Sequence, residues 1–150
     1  MLVDQNFFNI ERKKLIQLFH SSKFQEALSI AEKILSADPN DISILEIKGK
    51  IHLSLGDIKS AINCYLKAIQ LNPNCEKNYN AIALLLGKIG QNEKAIHYLY
   101  KSYGINKKNP TTHFNLGFIF YNKKNWYKSA EYFNNAIKIK PYYPDAVSYT

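Results

Sequence analysis

The chain has few of the residues on which disulfide-bonded, metal-binding or membrane-spanning proteins depend. Its 150 residues include two cysteines, one methionine and one tryptophan. Cys64 and Cys75 form no CxxC pair, so we expect two reduced thiols rather than a disulfide scaffold or a zinc site. No segment approaches the ~18 consecutive apolar residues of a membrane-spanning helix, and the N-terminus lacks the apolar core of a secretion signal. We therefore expect a cytoplasmic protein with no cofactor, metal or membrane attachment.

Catalytic motifs are also missing from the sequence. It contains no glycine-rich phosphate loop, no GxSxG and no HExxH. The four histidines, His20, His52, His97 and His113, are scattered along the chain. The composition, with 46% apolar and 21% charged residues, is that of a folded domain rather than a disordered one. The sequence thus predicts a folded protein that is not an enzyme.

The sequence does contain a regular repeat. Its period is 34 residues, which is the spacing between Ala27 and Ala61. Three sets of small residues and prolines recur at this spacing or its multiples: Ala27, Ala61, Ala95 and Ser129; Gly49, Ala83 and Gly117; Pro39, Pro73 and Pro141. A fixed period of this length is typical of stacked supersecondary units, each of which buries its apolar face against its neighbours. Proteins built in this way usually present a binding surface.

The apolar spacing predicts four helix pairs and no strand. We expect helices over 7–20 and 24–37, 42–54 and 58–71, 76–88 and 92–105, and 110–122 and 126–139. Gly56 and Gly90 fall between paired helices, where a positive φ costs glycine nothing. Asn109 is suited to cap the helix that Pro110 opens at its first position. Because the connections are short, neighbouring helices should be antiparallel.

The periodic residues resemble those of the tetratricopeptide repeat (TPR) family. The best match is the second repeat, with Leu45, Gly49, Gly56, Ala61, Tyr65, Ala68 and Pro73. The repeats span 8–41, 42–75, 76–109 and 110–143. Lys107 replaces the proline of the third repeat, and Lys14-Leu15 replaces the usual Leu-Gly pair of the first. The resemblance implies an all-α fold, a right-handed α-solenoid of antiparallel helix pairs forming a single domain over 1–150. Residues 144–150 are expected to be the start of a truncated fifth repeat or a tail.

The resemblance also implies that the first helix of each pair lines a concave groove that binds a peptide. The groove positions of the family correspond here to Arg12, Lys13, Ile16, Phe19, Glu46, Ile47, Lys50, Leu53, Lys77, Asn80, Leu84, Lys88, Thr111, Phe114, Asn115, Phe118 and Tyr121. Asn115 matches a position that hydrogen-bonds peptide backbone in related proteins, or is an ordinary solvated residue. Phe114, Phe118 and Tyr121 form one helical stripe, which is either an interaction site or part of the core.

Two classes of partner are not expected. Related domains hold the acidic tails of heat-shock chaperones with a set of lysines and asparagines, but here both amide positions of that set are apolar, at Ile16 and Ile47. The net charge of +8 suggests nucleic acid as a partner. However, Arg12 is the only arginine among the cations, and arginine dominates where phosphates and bases are gripped. Polyanion binding stays open as a third hypothesis, because residues 76–150 carry a net charge of +7.

The sequence therefore predicts a scaffold or adaptor that binds a protein or peptide segment in its groove. The alternative is a non-catalytic, substrate-recruiting arm of a larger enzyme such as a glycosyltransferase.

Overall fold

The computed structural model describes residues 5–140, and this part of the chain forms eight helices. All the regular structure within it is helical. The chain divides into two compact units, Met1–Leu71 and Asn72–Thr150, here called unit 1 and unit 2 and described one at a time. Pro141 and the expected tail at 144–150 lie outside the described residues.

Unit 1 contains the first two helix pairs, α1 (Gln5–His20) with α2 (Phe24–Ala37) and α3 (Ile42–Ser54) with α4 (Ile58–Leu71). Each helix packs against the next one along the chain. A buried cluster lies between the first three helices, and it consists of Leu15, Ala27, Ile30, Ala31, Ile34, Ile44 and Ile51. Burial of such aliphatic side chains contributes most of the stability of a helical unit.

Unit 2 repeats this arrangement with α5 (Glu76–Lys88), α6 (Asn92–Ile105), α7 (Pro110–Asn122) and α8 (Trp126–Ile139). Helix α7 contacts both α5 and α6 as well as its partner α8. The fully buried residues include Ile82, Leu99, Leu116, Ile119 and Phe133. The periodic small residues Ala95 and Ser129 are buried as well.

The helix boundaries agree with the sequence prediction at every position except the start of α1, which begins at Gln5 rather than at residue 7. Asn109 caps α7 as predicted, since its Oδ1 accepts a hydrogen bond of 3.0 Å from the backbone N–H of Thr111. Pro110 occupies the first position of that helix. Local capping signals therefore account for the beginning of α7.

The recurring glycines allow two helices of a pair to approach closely. A Cβ atom built on Gly117 would lie 2.7 Å from Cδ1 of Phe133, and one built on Gly49 would lie 2.8 Å from Cε2 of Tyr65. Both distances are shorter than carbon atoms tolerate. An aromatic ring of the second helix therefore packs directly on the backbone of the first helix in the second and fourth repeats.

The turns within the four helix pairs share a left-handed residue. Gly56 and Gly90 have φ of 79° and 81°, as predicted, and Ser22 and Lys124 have φ of 60° and 59°. Each of these four positions is one full period of the repeat from the next. The conformation costs residues with a side chain about 1–2 kcal/mol, so the tertiary packing of the first and fourth pairs imposes a turn that their sequences do not favour.

The exit turns in unit 2 are held by a side chain of the following repeat. The hydroxyl of Tyr79 donates to the carbonyl oxygen of Pro73 at 2.9 Å. One repeat later, Nε2 of His113 lies 2.7 Å from the carbonyl oxygen of Lys107, which makes Nε2 the donor. The lysine that replaces the proline thus occupies a turn of the same kind.

Candidate functional site

The predicted peptide-binding residues of unit 1 lie on α1 and α3. The guanidinium of Arg12 pairs with the carboxylate of Asp41, which also caps α3. Ile16 and Lys50 are exposed, and Phe19 and Ile47 are half-buried and pack against the buried cluster of unit 1. The structure therefore leaves both Ile16 and Lys50 open to solvent. Of the others in the set, Lys13 is exposed, and Glu46 and Leu53 are half-buried.

The predicted aromatic stripe of unit 2 changes in exposure along α7. Phe114 and Phe118 are half-buried and pack against the cluster around Phe133, and the rings of Phe114 and Phe133 have centroids 5.5 Å apart. Tyr121, one turn further, is 44% exposed and meets the ring of Trp126 edge-on at 5.3 Å. The stripe thus packs against the interior of unit 2 at its beginning and is exposed to solvent at its end.

Helix α5 carries a second stripe. Lys77, Leu84 and Lys88 are seven and four positions apart, which places them within about 40° of one another around the helix. Both lysines are exposed and Leu84 is half-buried. A Cβ atom built on Gly87 would lie 3.6 Å from Cε1 of Phe118, so α5 and α7 adjoin at this point. Thr111, the remaining predicted residue of α7, is half-buried.

Asn80 and Asn115 lie in the interior of unit 2, and each is 4% exposed. The Nδ2 group of Asn115 donates to Oδ1 of Asn80 at 3.2 Å. Nδ2 of Asn80 in turn donates to the hydroxyl oxygens of Ser102 at 3.1 Å and Thr112 at 3.0 Å, which are 2.8 Å from each other. This buried network joins α5, α6 and α7, and it satisfies polar groups that would otherwise be costly to bury.

Sequence reasoning did not identify this network. The available signal was Ser102, which occupies the position held by Ala68 and Ala136 in the neighbouring repeats. A polar residue at a buried small-residue position needs a partner. Sequence reasoning also missed Trp126, because the period alone does not show that it meets Tyr121.

The two units differ in charge. The described residues of unit 2, 72–140, contain eleven lysines against three glutamates, a net charge of +8, whereas residues 5–71 have nine basic and seven acidic residues. Glu93 pairs with Lys123, and Glu76 accepts hydrogen bonds from the side chains of Asn106 and Asn109. Helix α7 has no charged residue. The surface of unit 2 therefore carries many more lysines than carboxylates.

The described part of the chain contains no group of histidine, cysteine or acidic residues that could hold a metal ion. Among the helices between residues 5 and 140, none is long and apolar enough to cross a membrane. Cys64 and Cys75 are both free thiols.

Comparison with known families gives two matches. The family model described as anaphase-promoting complex, cyclosome, subunit 3 matches residues 20–102, and the tetratricopeptide repeat model matches residues 110–143. The chain is 30% identical over 125 residues to the TPR repeat-containing protein MJ1428 of Methanocaldococcus jannaschii, covering 83% of this chain and 22% of that protein. It is 27% identical over 97 residues to small glutamine-rich tetratricopeptide repeat-containing protein 2 of Mycosarcoma maydis, covering 65% of this chain and 28% of that protein.

Solved structures with the same fold are also known. A tetratricopeptide repeat protein from Parabacteroides merdae matches with a TM-score of 0.89 at 20% identity, over 98% of this chain and 57% of that one. A crystal structure of MamA matches with a TM-score of 0.83 at 23% identity, over 94% of this chain and 77% of that one. The fold is thus the all-α solenoid of these repeats, and the chain belongs to the tetratricopeptide repeat family.

Proposed function

We propose that this chain is a non-catalytic protein–protein interaction module that binds a peptide segment of its partner on the first helices of its repeats. Membership of the tetratricopeptide repeat family supports the general role. The binding residues on α1 and α3, and on α5 and α7, remain proposals.

The observation that carries the proposal is the combination of side chains on α5 and α7. Tyr121 is 44% exposed at the end of an aromatic stripe on a helix without charges. Lys77 and Lys88 are exposed on α5 at either end of a stripe that includes the half-buried Leu84, and they are about 16 Å apart along the helix axis. A peptide with an apolar anchor and carboxylates would find complementary groups here.

Phe114, Phe118, Asn80 and Asn115 have a supporting role in this proposal. Their side chains hold the interior of unit 2, so they fix the positions of the helices that carry the exposed residues. In unit 1, Ile16 and Lys50 are the corresponding exposed residues, with Arg12, Phe19 and Ile47 supporting them.

The test is a selection of peptides from a displayed random library on the intact chain, followed by affinity measurements on purified peptides. The contact variant is the double substitution Lys88→Ala with Tyr121→Ala. The matched control is Lys94→Ala with Tyr127→Ala, which removes an exposed lysine and a tyrosine that is 82% exposed from the second helices of the same repeats.

We expect the contact variant to bind selected peptides at least about tenfold more weakly, which is typical of losing a central aromatic anchor, and the control to bind as the parent does. As a control, circular dichroism should show that both variants stay helical. Equal loss in both variants, or in neither, would contradict the assignment to α5 and α7. Affinity that falls steeply with salt for any polyanion would instead favour the polyanion hypothesis.

A second proposal is that the chain is the non-catalytic recruiting arm of a larger protein. The observation that favours it is that the chain spans 22% and 28% of the length of the two curated relatives. A catalytic motif in the same natural reading frame, joined to these repeats, would support the arm, and a reading frame made of repeats alone would oppose it.

A further inference from the structure

In unit 2 a tyrosine occupies the same position of the third and the fourth repeat, at Tyr98 and Tyr132. Tyr98 stacks on Tyr79 with ring centroids 6.3 Å apart. One repeat later, Tyr132 stacks on Phe120 at 5.7 Å with an interplanar angle of 7°, and it lies 6.1 Å from the ring of His113. In the third and fourth repeats the tyrosine of the second helix therefore covers one or two aromatic side chains of the first helix.

Unit 1 has Cys64 at the same position, one repeat before Tyr98. The residues that correspond to His113 and Phe120 are Leu45 and His52, each two repeats earlier. Leu45, His52 and Cys64 all line one hollow of about 380 Å³. The hollow thus lies at the place where, in unit 2, the ring of Tyr132 covers His113 and Phe120. It is open because a cysteine side chain is too small to fill the space of a phenol ring.

The walls of the hollow have a mixed chemistry. Leu35, Pro39 and Leu45 supply apolar surface, and Lys48 and Lys67 supply positive charge. None of the described residues that line the hollow has a carboxylate. The nearby carboxylate of Asp57 lies 3.8 Å from Nδ1 of His52. Burial raises the pKa of the Cys64 thiol, so the thiol stays neutral at pH 7 and does not repel an anion.

We propose that this hollow is a docking site for an aromatic side chain, tyrosine or phenylalanine, in an acidic segment of a partner protein. The ring would occupy the space that tyrosine fills in the third and fourth repeats and would stack beside His52. Lys48 and Lys67 would attract the flanking carboxylates, and a lysine near an aromatic ring adds a cation–π attraction. In unit 2 the ammonium of Lys128 already lies 5.1 Å from the ring centroid of Phe120. The site is separate from the residues of the proposed peptide-binding function and does not depend on it.

The experiment uses the full chain with Cys75→Ser, so that Cys64 is the single thiol. The probe is a five-residue peptide with one tyrosine between pairs of glutamates, and two control peptides replace the tyrosine by alanine or the glutamates by lysines. Cys64→Tyr fills the hollow, and Cys64→Ser keeps its size. Affinity is measured by titration at fixed salt, and the rate at which a thiol reagent labels Cys64 is measured with and without each peptide.

We expect the acidic tyrosine peptide to bind at least about tenfold more tightly than either control peptide, and to slow the labelling of Cys64 at least threefold. Cys64→Tyr should abolish binding, and Cys64→Ser should leave the affinity within about twofold. Equal binding of the tyrosine and alanine peptides, no binding at millimolar peptide, or unchanged binding to folded Cys64→Tyr would overturn the proposal. The labelling rate decides the question even if Cys64→Tyr fails to fold, because an unprotected thiol rules out an occupied hollow.

Discussion

The side-chain amide of Asn115 donates a hydrogen bond of 3.2 Å to Oδ1 of Asn80, a residue 35 positions earlier in the chain. Both side chains are buried in unit 2, and together with two hydroxyl groups they tie the third repeat to the fourth. Buried polar networks of this kind are stabilising only when they are complete.

Replacing Asn80 by alanine should therefore lower the free energy of unfolding of unit 2 by about 2–4 kcal/mol, because three buried polar side chains lose a partner at once. Asn115→Ala should cost less, about 1–2 kcal/mol, since it removes a single donor. Urea unfolding followed by circular dichroism measures both changes.

Asn134→Ala is the control for this pair, because Asn134 is exposed on α8 and its loss should change stability by less than about 0.5 kcal/mol. If Asn80→Ala were as stable as this control, the network would not contribute to folding.

Two glycines of unit 2 should respond to alanine in opposite directions. Gly117→Ala places a methyl group against the ring of Phe133, and we expect a loss of about 1–3 kcal/mol. Gly104 is also helical, but a Cβ atom there meets nothing within 4 Å, so Gly104→Ala should raise stability by about 0.5–1 kcal/mol through helix propensity. Thermal unfolding of the two variants side by side distinguishes them. A stabilised Gly117→Ala variant would mean that α7 and α8 do not approach as closely as described.

Replacing Lys124, which has a left-handed φ of 59°, by glycine should raise the free energy of unfolding. Lys124→Gly removes the steric cost of the turn, and we expect a gain of about 0.5–1 kcal/mol after the entropy of glycine is allowed for. Lys101→Gly, in the middle of α6, is the matched substitution in a right-handed conformation, and it should lose about 1 kcal/mol. A change of the same sign in both variants would contradict the turn assignment.

The stability of unit 1 should fall at high pH because of Tyr65. Burial raises the pKa of Tyr65 to about 12, against about 10 for an unfolded tyrosine. The neutral phenol is thus favoured by the fold, and its contribution is fully present below pH 10 and is lost between about pH 10 and 12.

At pH 11.5 the loss due to Tyr65 should be about 2 kcal/mol. Lysines also titrate in this range, so the measurement is the difference between the parent and Tyr65→Phe in urea unfolding at pH 8 and pH 11.5. The phenylalanine variant should lose less stability than the parent. Identical pH dependence in the two proteins would show that Tyr65 ionises freely in the folded state.

The helices were predictable from the period of the repeat and, at some boundaries, from local capping and turn residues. The cap at Asn109 and the proline at 110 determine where α7 begins without reference to the rest of the chain. Gly56 and Gly90 revealed their turns in the same way, since glycine is the residue that a positive φ favours. At Ser22 and Lys124 that signal is absent, and the same turns form there only because the helices on either side pack as they do.

The candidate site was less predictable because exposure depends on packing between helices. The positions of Phe114, Phe118 and Tyr121 on one stripe follow from the helical period. That the first two pack against Phe133 while the third is at the surface depends on α8, whose placement the period does not specify. For the same reason Asn115 was open to two interpretations, since a polar residue on a helix gives no indication of a partner in the preceding repeat.

The exit turns of unit 2 are secured twice, once by the local conformation and once by the side chain that reaches back from the next repeat. Because His113 bonds to the carbonyl oxygen of residue 107, a lysine can replace proline there without releasing the turn. Because two features hold the turn, the residues responsible for either one can change in evolution while the other keeps the backbone in place. This redundancy is one physical route by which the sequences of repeats can diverge while their backbones stay alike.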